Sequence, residues 1–231
     1  KWNGSSWSAM GSGVNGDVYA IKTDYVGHVY VAGAFTNAGG IPVNYIAKWD
    51  GNQWYALGSG LNGYPYSLRD VGTNIVVGGN FTIAGGDSAK YIAQWNGSSW
   101  SSMPGLNDIV YSVSADNGGN IYVGGNFNFL SGNVVVSRCI AKWNGFSWNF
   151  LGSGTNNSVY GIEFISGSLY AVGDFTTAGG VTVNHVAKWD GSNWSSLAGG
   201  ISGAATSITS IAIKGTDLFV GGNFTSIGGI P

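Results

Sequence analysis

Tyr45-Ile46-Ala47-Lys48-Trp49-Asp50-Gly51-Asn52-Gln53-Trp54-Tyr55-Ala56-Leu57 is the stretch on which the reading of the chain turns. An apolar run rich in aromatic and β-branched side chains ends at one Trp, meets Asp-Gly, and resumes at a second Trp. Such side chains suit the pleated, half-buried surface of a strand. Asp-Gly tolerates the positive φ of a tight hairpin. A two-residue turn at Asp50-Gly51 sets Trp54 opposite Ala47 and, because side chains alternate, places Trp49 and Trp54 on one face.

The same hairpin returns at Trp2/Trp7, Trp95/Trp100, Trp143/Trp148 and Trp189/Trp194, and these five pairs use all 10 tryptophans. The turns between them are Asn3-Gly4, Asp50-Gly51, Asn96-Gly97, Asn144-Gly145 and Asp190-Gly191. A period of about 47 residues is the signature of repeated architecture. Working outward from the hairpin, Asp17–Ile21 and Val29–Gly33 supply two earlier strands, so the unit holds four. No stretch carries apolar residues at helical spacing, and essentially no helix is expected.

Linear solenoid rungs are shorter and stack in parallel, whereas four antiparallel strands per unit match a propeller blade. The second strand is apolar on both faces, as in Ile75-Val76-Val77 and Ile121-Tyr122-Val123, as expected where both faces of a blade are covered. Gly78-Gly79, Gly124-Gly125 and Gly221-Gly222 suggest close approach of neighbouring backbone. The expected fold is therefore all-β, a five-bladed β-propeller with four antiparallel strands per blade in one domain over 1–231. The blades fall at about 17–57, 64–103, 109–151, 158–197, and 207–231 together with 1–10.

That last blade implies a circularly permuted closure, with strands from both termini sharing one sheet and removing its open edge. No counterpart of Val43–Ala47 follows Pro231 or precedes Lys1. Either the third strand of that blade is incomplete, or the native chain is longer and carries further repeats. The opening Lys1-Trp2-Asn3-Gly4 reads as a mature or trimmed segment.

Gly-Gly-Asn-Phe-Thr at 78–82, Ala-Gly-Gly at 84–86 and Tyr-Ile-Ala-Gln-Trp-Asn-Gly at 91–97 resemble the Kelch-like, Rax2-like repeats of secreted β-propellers. The resemblance covers the whole chain and implies architecture rather than activity. Five blades of aromatic repeats are also similar in arithmetic to the sugar-binding lectin tachylectin-2, whose sequence motifs are not matched, so no binding residue is carried over.

Charged residues make up 9% of the chain with a formal net charge of −2, too little of either sign for a nucleic-acid footprint. Apolar runs are strand-sized, far short of the roughly 20 residues of a bilayer-spanning helix. The single cysteine, Cys139, excludes an internal disulfide and argues against a Cys-based metal site. It stands where other copies carry Tyr45, Tyr91 and His185, and reads as a small buried hydrophobe. With 41 Gly and abundant Ser, Thr and Asn, the composition points to an extracellular or surface-displayed protein. Asn-x-Ser/Thr occurs at Asn3, Asn80, Asn96, Asn156, Asn193 and Asn223, which are acceptors in a eukaryotic secretory route or chance products of the composition.

The histidines, His28 and His185, fall in different blades without a repeated carboxylate beside them, and Glu163 is the sole glutamate. Neither a nucleophile triad nor a glycosidase acid pair emerges, so no enzyme, cofactor or metal is expected.

Loop lengths carry more information. Leu197–Ile211 and Phe127–Trp143 are longer than their counterparts Leu57–Leu68 and Phe81–Trp95, and both connections emerge on one face of a propeller, where grafted function collects. Candidate ligand-binding groups there are Asn15, Asn62, Asn107, Asn156 and Ser202 in one loop, and Thr36, Thr82, Thr176 and Thr225 in or beside the other. The alternative is that these groups satisfy turn backbone. The Trp pairs would stack on sugar rings or, as the reading favours, fill the space between blades. The expectation is a non-catalytic binding module recognising glycan or protein; the alternative is a structural repeat unit of a filament, sheath or virion surface that contacts copies of itself.

Overall fold

The computed structural model describes residues 1–131, 134–203, 207–215 and 217–230, and the regular structure among them is all β-strand. The fold is all-β and propeller-like, built on repeated antiparallel four-stranded sheets. Two compact units, Lys1–Pro104 and Gly105–Pro231, make up the chain. The first holds a sheet of Asp17–Thr23, Val29–Ala34, Ile46–Trp49 and Trp54–Ala56, and a second of Tyr64–Val71, Asn74–Asn80, Ile92–Trp95 and Trp100–Ser102. The second unit holds a third sheet of Val110–Ala115, Ile121–Ser131, Val134–Trp143 and Trp148–Phe150, and a fourth of Val159–Ile165, Ser168–Gly173, Val186–Trp189 and Trp194–Ser196. Ser207–Lys214 and Asp217–Asn223 then pair as a two-stranded sheet. At the N-terminus Trp2 and Trp7 bridge one another. Thr216 and Pro231 of the expected fifth blade, and residues 204–206 of the connection before it, lie outside the described residues.

The Gly-Gly-Asn-Phe-Thr pattern explains how each sheet is built. Between first and second strands the register slips by one residue in every copy, at Val18/Ala20, Pro65/Ser67, Val110/Ser112, Val159/Gly161 and Ile208/Ser210. This bulge brings the first strand's carbonyl so near the facing glycine that a Cβ at Gly33, Gly79, Gly125 or Gly173 would collide with Asp17, Tyr64, Ile109 or Ser158 oxygen. Two residues later Phe35, Phe81, Phe127 and Phe175 are buried. In the first unit, Tyr30, Ile46, Leu57, Leu68, Ile75 and Phe81 form one continuous apolar layer. Tyr122, Ile140, Leu151, Ile162, Leu169 and Phe175 repeat it in the second.

The Trp hairpin corrects one expectation. Trp49 pairs with Trp54 itself, and Ala47 with Ala56, so the turn has four residues rather than two. The reason is side-chain capping: Asp50 Oδ1 accepts the Asn52 and Gln53 N–H groups at 2.8 and 2.9 Å, closing the wider loop. Asn96, Asn144 and Asp190 do the same. The two indoles still share a face, with ring centroids 5.4 Å apart. They pack rather than display: Trp54, Trp100 and Trp194 donate Nε1–H to the carbonyls of Met10, Leu57 and Leu151 at 2.9, 2.7 and 2.8 Å. Gly85 and Gly179 lie flat on the indoles, where a Cβ would meet Trp100 and Trp194 Cδ1 at 2.7 and 2.6 Å.

Candidate functional site

The two loops that the sequence singles out are brought together by short, repeated clamps. Asn15 precedes the first strand of its sheet, and Thr36 follows the buried Phe35. Asn15 Oδ1 accepts the Thr36 and Asn37 N–H groups, both at 2.9 Å, and its Nδ2 donates to Thr36 Oγ1 at 3.1 Å. Asn62 holds Thr82 N, Ile83 N and Thr82 Oγ1 at 2.8 Å each. Asn156 holds Thr176 N, Thr177 N and Thr176 Oγ1 at 2.9, 3.0 and 2.9 Å.

The backbone reinforces the same junction. Gly39, Gly85 and Gly179 donate N–H to the carbonyls of Gly13, Gly60 and Gly154 at 2.7, 2.8 and 2.8 Å. Each second loop is folded back as a miniature hairpin, Asn37–Ala38 with Ile41–Pro42, Ile83–Ala84 with Asp87–Ser88, and Thr177–Ala178 with Val181–Thr182.

Two copies depart from the pattern. Asn107 reaches Asn128 N at 2.9 Å, because the third sheet carries Asn128 where the others have Thr and its longer connection continues as the ladder Ile121–Ser131 with Val134–Trp143. Ser202 is bonded to Ser226 Oγ at 2.8 Å, while Thr225 N–H and Oγ1 donate to the Ser202 carbonyl at 3.0 and 3.3 Å. All nine candidates thus lie at loop junctions, grouped within their own copy. The Asn carbonyls are occupied by backbone, whereas the Thr hydroxyls of the three full clamps accept one bond and keep a proton to donate outward.

Exposed beside these clamps stand Ile41, Ile83, Val181 and Ile227. They escaped the sequence reading because they look like ordinary strand residues. A second missed feature is a cross-strand row on the first, third and fourth sheets. Tyr30 pairs with Lys48, Tyr122 with Lys142, and Tyr170 with Lys188, with Lys142 and Lys188 Nζ 5.7 and 5.8 Å from their Tyr ring centroids. Its signal was present as Tyr30, Tyr122 and Tyr170 in second strands and Lys48, Lys142 and Lys188 before the third-strand Trp of the same sheets.

The histidines and the turn aspartates are held by local bonds. His28 Nδ1 lies 2.8 Å from Asp24 Oδ2, whose other oxygen caps the same turn. His185 Nδ1 faces the Gly173 carbonyl at 3.1 Å. Asp50 and Asp190 are held below the usual carboxylate range by the turn N–H groups they accept. Burial pushes the Cys139 thiol up to about 11, and burial with the Asp174 hydrogen bond pushes Tyr160 up to about 12. Among the described residues no group of three or more His, Cys, Asp or Glu converges as metal ligands would.

No family model matches the chain, and no curated protein matches it. Among solved structures it is similar to the computationally designed Ika8 protein, with a TM-score of 0.54 at 13% identity, covering 91% of this chain and 57% of that one. At that identity the likeness concerns fold alone. A second match, the extracellular domain of a protein described as a hybrid two-component system from B. thetaiotaomicron, has a TM-score of 0.34 at 12% identity and covers 90% of this chain and 37% of that one. The chain therefore spans less than two thirds of either structure.

Proposed function

We propose that the chain is a non-catalytic binding module, extracellular or surface-displayed, that recognises glycan or protein through its clamped loops. The observation that carries this reading is the clamp itself. It makes each loop pair rigid at a repeated position and leaves a Thr hydroxyl and a branched apolar side chain, such as Thr36 with Ile41 or Thr176 with Val181, outward and solvent-exposed. Pre-ordered polar and apolar groups lower the ordering cost of binding. Repeated sites on one scaffold gain roughly 10²–10⁴ through linkage. All six Asn-x-Ser/Thr asparagines are exposed, in keeping with an extracellular setting.

The fold we propose for this module is a closed five-bladed ring whose last blade is completed by the N-terminal hairpin. Trp2 and Trp7 are 50% and 79% exposed, whereas Trp54 and Trp194 are 8% and 6%. In the second unit, a hollow of about 260 Å³ lined by Tyr170, Leu197, Ile213 and Leu218 occupies the place that a Trp pair fills beside Leu151. Leu197 corresponds to Leu57 and Leu151, whose carbonyls accept indole N–H. Ile21 is 64% exposed where Leu68, Val113 and Ile162, at the same register, are 8%, 4% and 2%. These uncovered surfaces also favour the alternative, a structural unit of a filament, sheath or virion surface, in which the same contact forms between copies.

A glycan array followed by titration calorimetry tests the binding reading. Hits that weaken when Thr36, Thr82 and Thr176 are together replaced by Val support it. Silence in both removes the glycan version.

A further inference from the structure

We infer that the groove between the third and fourth sheets binds an acidic sugar, a pyranose bearing a carboxylate. This site is separate from the loop clamps and does not rest on the loop-face reading. The groove encloses about 290 Å³, room for one sugar ring. One wall is the cross-strand row Tyr122, Lys142 and Asn149. Trp189 of the fourth sheet lines the opposite side, with Phe150 and the turn residue Asn144 also lining the groove.

Its chemistry differs from that of the corresponding rows. In the first sheet Tyr55 stands where Asn149 stands here. Lys48 Nζ lies 5.2 Å from the Tyr55 ring centroid, and the Tyr55 hydroxyl donates to Asp50 Oδ2 at 2.9 Å. Tyr55 fills that row, and Asp50 brings negative charge to it. In the fourth sheet Lys188 is near enough to Asp190 to help lower its carboxyl. In the second sheet Gln94 replaces the lysine.

The third sheet keeps Lys142 but has Asn149 for the tyrosine and Asn144 for the turn aspartate, so this row is both open and cationic. Asp116 and Asp190 do not line the groove and are held in their own turns. Asp116 accepts from Gly118 N, Asn120 N, Asn120 Nδ2 and the Tyr122 hydroxyl. Asp190 Oδ1 accepts from Ser192 N and Asn193 N.

Lys142 is partly buried with its ammonium over the Tyr122 ring, and a cation so placed gains most from an anion that also brings apolar surface. Asn144 Oδ1 is taken by the Phe146 and Ser147 N–H groups at 3.0 and 2.9 Å, which leaves its Nδ2 to donate. Asn149 Nδ2 donates to the Ser147 carbonyl at 3.1 Å, which leaves Oδ1 to accept. A donor, an acceptor and a cation then meet hydroxyls and a carboxylate, while Phe150, 47% exposed, offers a face for the C–H side of the ring.

Amide-resolved NMR titrations of the full chain with methyl β-D-glucuronide, methyl β-D-glucoside and acetate test the assignment. The glucuronide is expected to shift the Lys142, Asn144 and Asn149 amides and to bind about tenfold more tightly than either other probe. Lys142→Gln should bring it down to the glucoside's affinity. Asn149→Tyr, which restores the first sheet's filled row, should abolish binding while leaving the melting temperature unchanged. Equal affinity for the two sugars, acetate matching the glucuronide, full binding by the Asn149→Tyr protein, or no shifts at these amides would each overturn it. Thr→Val changes in the loop clamps should leave this binding intact, so the two sites fail separately.

Discussion

Tyr45, Tyr91, Cys139 and His185 occupy one position in four sheets, and all four have positive φ, from 61° to 72°. Non-glycine residues rarely adopt this conformation, which costs on the order of 1 kcal/mol or more. It persists because both backbone groups are bonded: Tyr91 N–H donates to the Phe81 carbonyl at 2.8 Å and its own carbonyl accepts from Gly79 at 2.9 Å. The alignment of copies identified Cys139 as a buried hydrophobe, but the strain was invisible, because it is imposed by partners on two other segments. Burial raises the thiol from its ordinary 9.0 to about 11, so the thiolate fraction near pH 8 falls about a hundredfold. Ellman's reagent should therefore react with native protein about a hundredfold more slowly than with urea-unfolded protein. Because the folded value is raised, the thiol's contribution to stability is full below the unfolded value and is lost as pH climbs through about 11. A fall in the urea midpoint between pH 8 and 10 that is absent in Cys139→Ala checks this, because the raised tyrosines contribute only above about pH 10.

At the scale of elements, the loop clamp is the piece most exposed to test. Asn62→Ala removes three hydrogen bonds and is expected to cost about 1–2 kcal/mol, held low by solvent access. Hydrogen exchange should accelerate at the Thr82, Ile83 and Gly85 amides while the strand Ile92–Trp95 keeps its protection. Unchanged exchange at those three amides would show that the backbone bonds alone hold the junction. That Asn and Thr recur in the two loops was legible, but that they clamp one loop to the other was not, because an amide serves backbone or ligand equally well on paper. The Trp hairpin teaches the same lesson. Asp-Gly correctly located the turn, yet the turn length was decided by Asp50 Oδ1 reaching two N–H groups.

For the molecule as a whole, the proposed closure makes a prediction separable from its alternative. If the N-terminal hairpin seals the last blade within one chain, the protein sediments as a monomer at all concentrations. Its Trp2 and Trp7 emission is then shielded from iodide, and Trp7→Ala costs about 3–5 kcal/mol, as loss of a buried Trp does. Shielding that appears only with concentration, together with growing assemblies, would favour the structural unit. A monomer with freely quenched Trp2 and Trp7 would contradict both.

The repeat, the four strands of its complete copies and the crowded Gly of the second strands were determined by sequence alone. All of these arise from periodicity and local sterics that recur in every copy. What only tertiary structure decided is where copies cease to be equivalent. Asn149 lines a groove at the position where the first sheet sets Tyr55 beside Lys48, and the amides of Asn15, Asn62 and Asn156 turn inward to backbone. Both outcomes depend on the size and hydrogen-bonding groups of residues from neighbouring strands and sheets, which no single repeat contains.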